Sequence, residues 1–137
     1  MPKPIVAIVL AALVTVAAAT GGTAQEAEAP APDIPPPPYD DQLLRLSEIL
    51  GALHYLRELC DSDEGSLWRD EMQALIDAEE ADPVRRTRFV DRFNRGYGGF
   101  SAVYRNCTPA AALAIDRYMD EGQRIARDIV ARYGRQE

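Results

Sequence analysis

Few residues of this 137-residue chain could carry out chemistry, since it has one histidine and two cysteines. His54 could act as a general base if Glu58, one helical turn further on, oriented its ring. No nucleophile motif accompanies this pair, and a histidine at the edge of a helix packing face is more often a hydrogen-bonded structural residue. We therefore predict that the protein is not an enzyme and uses no cofactor. An envelope-directed hydrolase that uses His54 is the alternative.

The two cysteines, Cys60 and Cys107, have three interpretations. A redox-active pair would need the Cys-x-x-Cys spacing, which is absent. A metal site would need more ligands than one histidine can add, so we predict no metal. We predict an intramolecular disulfide, provided that the fold brings the two residues together in an oxidising compartment. In the chain-entropy model, a bond that closes the loop between Cys60 and Cys107 stabilises the domain by about 4 kcal/mol.

Residues 1–24 have the three parts of a secretory signal. Lys3 is followed by the apolar run Ile5–Ala19 and then by small residues. We predict cleavage after Ala24, with cleavage after Ala19 as the second choice. An uncleaved membrane anchor is the alternative, but about 15 apolar residues are short for a bilayer that needs roughly 20. The sequence therefore predicts a periplasmic protein without a membrane span after signal cleavage.

Residues 25–39 form a segment rich in Ala, Glu and Pro that contains four consecutive prolines, Pro35–Pro38. Such a run favours the extended polyproline II conformation, which has no hydrogen bonds of its own. We interpret the segment as a disordered linker, and a docking site for a proline-recognising partner is the other interpretation. The helical domain is then expected over residues 40–134.

Apolar residues at steps of three and four predict two helices in the first half of this domain. The first runs from Leu43 to Cys60, with Asp40 or Asp41 as its cap. Its apolar surface is broad, so we expect it to be the central helix. The second helix spans about 15 residues after a cap at Asp63 or Ser66.

Two further helices begin at a cap residue followed by proline, which has no amide hydrogen to lose in the first turn. Asp82 caps the third helix, which we expect to run from Pro83 towards Asn106. Thr108 caps the fourth helix, and Gly134 stops it. Because no strand-like alternation is present, we predict an all-α, antiparallel up-down-up-down four-helix bundle. This topology places Cys60 and Cys107 at the same end, where a disulfide would staple the bundle.

The third helix carries an aromatic stripe whose members recur at steps of 4, 4, 3 and 4: Phe89, Phe93, Tyr97, Phe100 and Tyr104. The aromatic residues keep their helical spacing across Gly96, Gly98 and Gly99, so we expect an unbroken or only kinked helix. We interpret these glycines as sites where another backbone comes close.

A short second helix beside longer ones would leave part of a groove uncovered. We name as candidate binding residues for this groove Trp68, His54, Tyr97, Phe100 and Tyr104. The partner would be another envelope protein or an apolar or peptidic ligand. The alternative is that most of these rings are plain core.

The formal net charge of the chain is −7, with 47% hydrophobic and 27% charged residues. These proportions are ordinary for a globular domain. An acidic protein repels phosphate backbones and anionic lipid surfaces, so we predict no nucleic-acid partner.

Five stretches of the chain carry a resemblance to a known family: residues 46–57, 68–69, 93–97, 104–111 and 125–128. With its Pro-rich lead and paired cysteines, the chain resembles small secreted alphaproteobacterial proteins that share a domain of unknown function. The resemblance implies export and a helical architecture, and it carries over no catalytic residue.

Together these observations predict an exported, periplasmic binding or interaction module of the cell envelope. A membrane-tethered structural envelope factor is a further alternative to the hydrolase named above.

Overall fold

The computed structural model describes residues 34–134 together with Gly22. This part of the chain forms four helices, α1 (Asp40–Leu59), α2 (Leu67–Ala78), α3 (Pro83–Ser101) and α4 (Pro109–Tyr133), and contains no strand. The prediction of an all-α protein with four helices is confirmed. Apart from Gly22, the predicted signal peptide and the first part of the predicted linker lie outside the described residues.

Two of the predicted helix starts are confirmed. The carboxylate of Asp82 accepts hydrogen bonds from the backbone N–H groups of Val84 and Arg85, both at 2.9 Å. The hydroxyl of Thr108 accepts from the N–H of Ala111 at 3.1 Å. Both helices continue with proline at the first helical position. Each cap residue thus satisfies amides that have no partner within the first helical turn.

No side-chain cap forms at the other two predicted helix starts. Helix α1 begins at Asp40 itself, so Tyr39 stands at the cap position, and no side chain makes a cap hydrogen bond there. Asp40 is instead buried and accepts two hydrogen bonds from Arg85, which supplies the charged partner that a buried carboxylate requires. Ser66 stands at the cap position of α2, but its hydroxyl donates to the carboxylate of Asp70 at 2.8 Å.

Helix α1 is the centre of the domain and packs against all three other helices. One hydrophobic cluster joins Leu43 and Leu50 of α1 to buried residues of α2 and α3. A second cluster joins Ile49 and Leu56 of α1 to the N-terminal half of α4, where Ile115 is buried. Among the described helices, the backbone of α4 approaches α1 alone. Helix α4 therefore packs on α1 apart from both α2 and α3.

Helices α1 and α3 pack at very close range. A Cβ atom added to Gly96 would overlap the carbonyl oxygen of Glu48, and one added to Gly51 would overlap that of Phe93. The close-packing role predicted for Gly96 is confirmed. It is wrong for Gly98 and Gly99, where an added Cβ would meet open space. Gly51 also allows close packing of the two helices, a role that the sequence analysis did not predict.

Contacts along the helices fix which ends meet. The first turns of α1 and α3 meet at the Asp40–Arg85 ion pair, and Cys60, just after α1, is bonded to Cys107, after α3. Early residues of α1 pair with late residues of α4, as in the hydrogen bond from Gln42 to Asp128. The complete up-down-up-down order stays a prediction.

Helix α3 is continuous through its glycines, as expected, but it ends at Ser101 instead of continuing to Asn106. The amides of Val103 and Tyr104 both bond to the carbonyl of Phe100, which closes the helix in a tight turn. The chain needs residues 102–108 to reverse direction before α4, so Tyr104 leaves the helical stripe. None of the helices within 34–134 combines the length and apolar composition that crossing a membrane requires.

Candidate functional site

The predicted disulfide is present between Cys60 and Cys107, whose Cα atoms are 4.9 Å apart. It joins the end of α1 to the residue that precedes the Thr108 cap of α4. Within the described part of the chain, no group of three His, Cys, Asp or Glu residues is placed to hold a metal ion. The Cys60–Cys107 disulfide attaches the connection between α3 and α4 to the central helix α1.

His54 packs among aromatic rings. Its ring centroid lies 5.9 Å from that of Phe93 and 5.5 Å from that of Tyr97, and its side chain is half-buried. Glu58, which the sequence offered as an orienting carboxylate, is exposed, and the structure shows no hydrogen bond between the two side chains. In the described part of the chain, His54 thus lies against the rings of Phe93 and Tyr97.

The five candidate groove residues do not share one groove. Tyr97 packs with His54 and with Tyr55, whose ring centroid is 5.3 Å away. Phe100 instead turns towards α4, where its ring meets that of Tyr118 edge-on at 5.4 Å. The aromatic stripe divides here because Tyr97 and Phe100 lie on different flanks of α3 and because Tyr104 follows the end of the helix.

Trp68, the fourth candidate, belongs to the core. Its ring packs against both hydrophobic clusters, and its indole N–H donates to Glu64 at 2.6 Å. Glu64 also accepts from the Nε of Arg57 at 2.9 Å. The hydrogen bonds from Arg57, helped by that from Trp68, hold the pKa of Glu64 below its usual range. This network fastens the loop before α2 to the end of α1.

A groove does lie beside α2, which has 12 residues instead of the expected 15 or so. We call it the α2–α3 groove; its volume is about 210 Å³, and Met72, Ile76 and Phe93 line it together with Val90 and Arg69. The prediction that Tyr97, Phe100 and Tyr104 floor this groove is wrong, because Phe93, one turn earlier, occupies that position.

A larger cavity lies between the end of α3 and helix α4, and we call it the aromatic cavity. It measures about 430 Å³ and is lined by Arg45, Phe100, Tyr104, Ala110, Leu113, Ala114, Arg117, Tyr118 and Glu121. The rings of Phe100 and Tyr104 stack at 6.0 Å, and Tyr118 closes the third side. The hydroxyl of Tyr55 donates to the backbone carbonyl of Tyr104 and so holds that residue in the wall.

The polar side of the aromatic cavity is an ion pair. Arg45 donates from Nε to Glu121 at 2.7 Å and from Nη2 at 3.0 Å, and its guanidinium lies 5.3 Å from the centroid of the Tyr118 ring. The hydrogen bond to Glu121 raises the pKa of Arg45, and Arg45 in turn lowers that of Glu121. Both groups therefore stay charged over the physiological range, and Arg117 adds a cation that forms no ion pair with a described residue.

Sequence reasoning named Phe100 and Tyr104 as binding residues, although for a groove beside the second helix, and it missed Tyr118, Leu113 and the Arg45–Glu121 pair. Helical spacing assigns Tyr118 to the packing face of α4, and nothing local separates a core tyrosine from one that lines a cavity. Arg45 and Glu121 are 76 residues apart. Their pairing depends on the packing of α4 against α1, which the sequence alone does not specify.

The fold and the cavity together define a small disulfide-linked α-helical protein with a ligand-sized space beside its central helix. The family model described as "Protein of unknown function (DUF2385)" matches residues 38–133, and the chain belongs to this family. Neither a curated protein nor a solved structure matches the chain.

Proposed function

We propose that this protein is an exported binding module of the cell envelope that holds a small apolar or peptidic ligand in its aromatic cavity. The observation that carries the proposal is the cavity itself. Ligand sites usually measure about 300–1,000 Å³ and combine apolar walls with a few polar groups. At about 430 Å³, with three aromatic rings and one fixed ion pair, the cavity has this size and composition.

The walls suggest how a ligand is held. Phe100, Tyr104 and Tyr118 offer ring faces and edges on which an apolar or aromatic body can pack. Arg45 and Glu121 satisfy each other, and Arg45 also forms an ion pair with Glu48 at 3.4 Å. A polar end of the ligand would be directed to Arg117, at the exposed margin. The proposal assigns no catalytic step to His54, which lies among rings away from this cavity.

The cellular location is part of the same proposal. Residues 1–24 have the pattern of a secretory signal, and disulfides persist mainly in oxidising compartments. The Cys60–Cys107 bond supports a periplasmic location for that reason. N-terminal sequencing of the protein from fractionated cells should begin at Gln25. An intact Met1 in the membrane fraction would contradict this and favour the tethered alternative.

A fragment titration tests the binding role. The probes are 3-phenylpropan-1-ol and 3-phenylpropanoate, followed by amide and aromatic NMR shifts at roughly millimolar concentration, where fragments of this size bind. We expect saturable shifts at Phe100, Tyr104 and Tyr118. The variant Leu113→Trp fills the cavity mouth from an exposed position and should abolish them.

Ala112→Trp is the matched control, because Ala112 is exposed on the same helix but does not line the cavity. It should leave the shifts unchanged. Shifts that persist in Leu113→Trp, or that never saturate in the wild-type protein, would overturn the assignment of the cavity as the binding site.

A further inference from the structure

Helix α3 has a charge opposite to that of the whole chain. Its 19 residues include five arginines and a single acid, Asp91, whereas the formal net charge of the protein is −7. Average composition hides this contrast. A positively charged helix on an acidic protein is a feature that a negatively charged partner would recognise.

Two of these arginines form ion pairs with residues that the structure describes. Arg85 forms ion pairs with Asp40 and Glu79, and Arg92 pairs with Glu48. The remaining three are exposed and form no ion pair with a described residue: Arg86, Arg88 and Arg95. Of these three, Arg86 lies on the same flank of α3 as Val90 and Tyr97, whereas Arg88 and Arg95 lie on the opposite flank.

One of the exposed cations stands next to an apolar recess. Arg86 donates to Gln73 at 3.3 Å, and Gln73 is itself part of the wall of the α2–α3 groove. Arg69 lines the same groove from α2. Asp77 accepts a hydrogen bond from the same Gln73 at 2.8 Å. The groove thus has an apolar floor and a rim with two guanidinium groups.

The size of the groove indicates what fits it. At about 210 Å³ it lies below the usual range for ligand sites, and it is open to solvent beside Val90, which is 39% exposed. Such a recess accommodates an anchoring side chain of a partner better than a free ligand. Tyr97, seven residues after Val90 on the same flank of α3, is 37% exposed and continues the apolar surface towards His54.

We propose that the α2–α3 groove docks an acidic amphipathic helix of a partner protein. An apolar side chain of that helix would enter the recess between Met72 and Phe93, and its carboxylates would meet Arg69 and Arg86. An amphipathic helix presents both kinds of group at spacings of three and four residues. A polyanion such as nucleic acid offers no aliphatic side chain to anchor in the recess.

The test uses a synthetic amphipathic helical peptide with Leu on the face that would contact the α2–α3 groove and Glu at the other positions. A second peptide has Lys in place of Glu. Binding to the full protein is followed by fluorescence anisotropy at about 50 mM and about 200 mM salt. We expect the acidic peptide alone to bind, more weakly at the higher salt. Arg69→Gln/Arg86→Gln should reduce its affinity about tenfold, and Val90→Asp should abolish binding.

Arg105→Gln/Arg127→Gln is the matched control, since it removes two exposed arginines outside the groove and should change nothing. Leu113→Trp, in the aromatic cavity, should also leave peptide binding intact, which separates this inference from the proposed ligand site. Equal binding of the Lys peptide, no binding of the Glu peptide, or an unchanged affinity in Arg69→Gln/Arg86→Gln would overturn the proposal. Two further results would overturn it. In the first, the protein forms a dimer that the groove variants dissociate. In the second, anionic lipid vesicles displace the peptide, and the groove variants no longer bind the vesicles.

Discussion

Gly96 of α3 lies directly against the backbone carbonyl of Glu48 in α1, with no room for a Cβ atom between them. Gly51 makes the reciprocal approach to the carbonyl of Phe93. These two contacts allow the central helix and the aromatic helix to pack with their backbones almost touching. The positions of Phe93 in the core and of His54 at its edge depend on this close packing.

Gly96→Ala should therefore destabilise the protein by about 3 kcal/mol or more, because the clash is with backbone that cannot rotate away. Gly98→Ala is the matched control, since an added Cβ there meets nothing within 4 Å. It should stabilise the helix, by up to about 1 kcal/mol. Chemical denaturation measures both changes. Equal effects of the two substitutions would contradict the close-packing account.

Arg85 and Asp40 form an ion pair whose side chains are only 12% and 7% exposed. Removing one partner leaves the other charged in a buried site, so Arg85→Leu should cost about 3–5 kcal/mol. The double variant Arg85→Leu/Asp40→Asn removes both charges and should recover part of that loss. A double-mutant cycle by urea denaturation gives the coupling. Additive effects would show that the pair is not coupled.

The Arg57–Glu64–Trp68 network should make stability depend on pH in the acid range. The hydrogen bonds from Arg57 lower the pKa of folded Glu64, whereas the unfolded value is about 4.3. Its contribution is thus complete above that pH and is lost as the pH falls through the lower folded pKa.

We expect the free energy of unfolding to fall below about pH 4.3 more gently in Glu64→Gln than in the wild-type protein. Fluorescence reports this locally, because Trp68 is the only tryptophan and donates to Glu64. Glu71→Gln, at an exposed position of α2, is the control and should keep the wild-type slope. Identical slopes for the wild type and Glu64→Gln would refute the link.

Loss of the disulfide should weaken both the fold and the aromatic cavity. In the chain-entropy model, Cys60→Ala/Cys107→Ala costs about 4 kcal/mol. The same change frees the connection that carries Tyr104, which then depends on the hydrogen bond from Tyr55. Urea denaturation measures the first effect and the NMR signals of Tyr104 the second. An unchanged denaturation midpoint would mean that the bond does not stabilise the domain.

Local chemistry explains what the sequence could predict. Asp82 and Thr108 cap their helices because a side-chain oxygen followed by proline has the same effect in almost any context. The disulfide followed from two independent arguments, compartment and helix order. The central position of α1 followed from the width of its apolar surface.

What the sequence could not predict depends on contacts between distant segments. Gly51 has no signal of its own, since its role exists only once Phe93 lies against it. Tyr104 keeps the helical phase of the stripe, but the chain must turn after Ser101 to reach α4. Asp40 has the residue type of a cap and becomes an ion-pair partner because Arg85 reaches it.

The most direct test of the binding role is native mass spectrometry of the protein purified gently from its own cells. We expect the wild-type protein and Ala112→Trp to carry an additional mass that is released on denaturation, and Leu113→Trp to lack it. If all three proteins had only the mass of their polypeptide, or if Leu113→Trp retained the additional mass, the aromatic cavity would not be the ligand site.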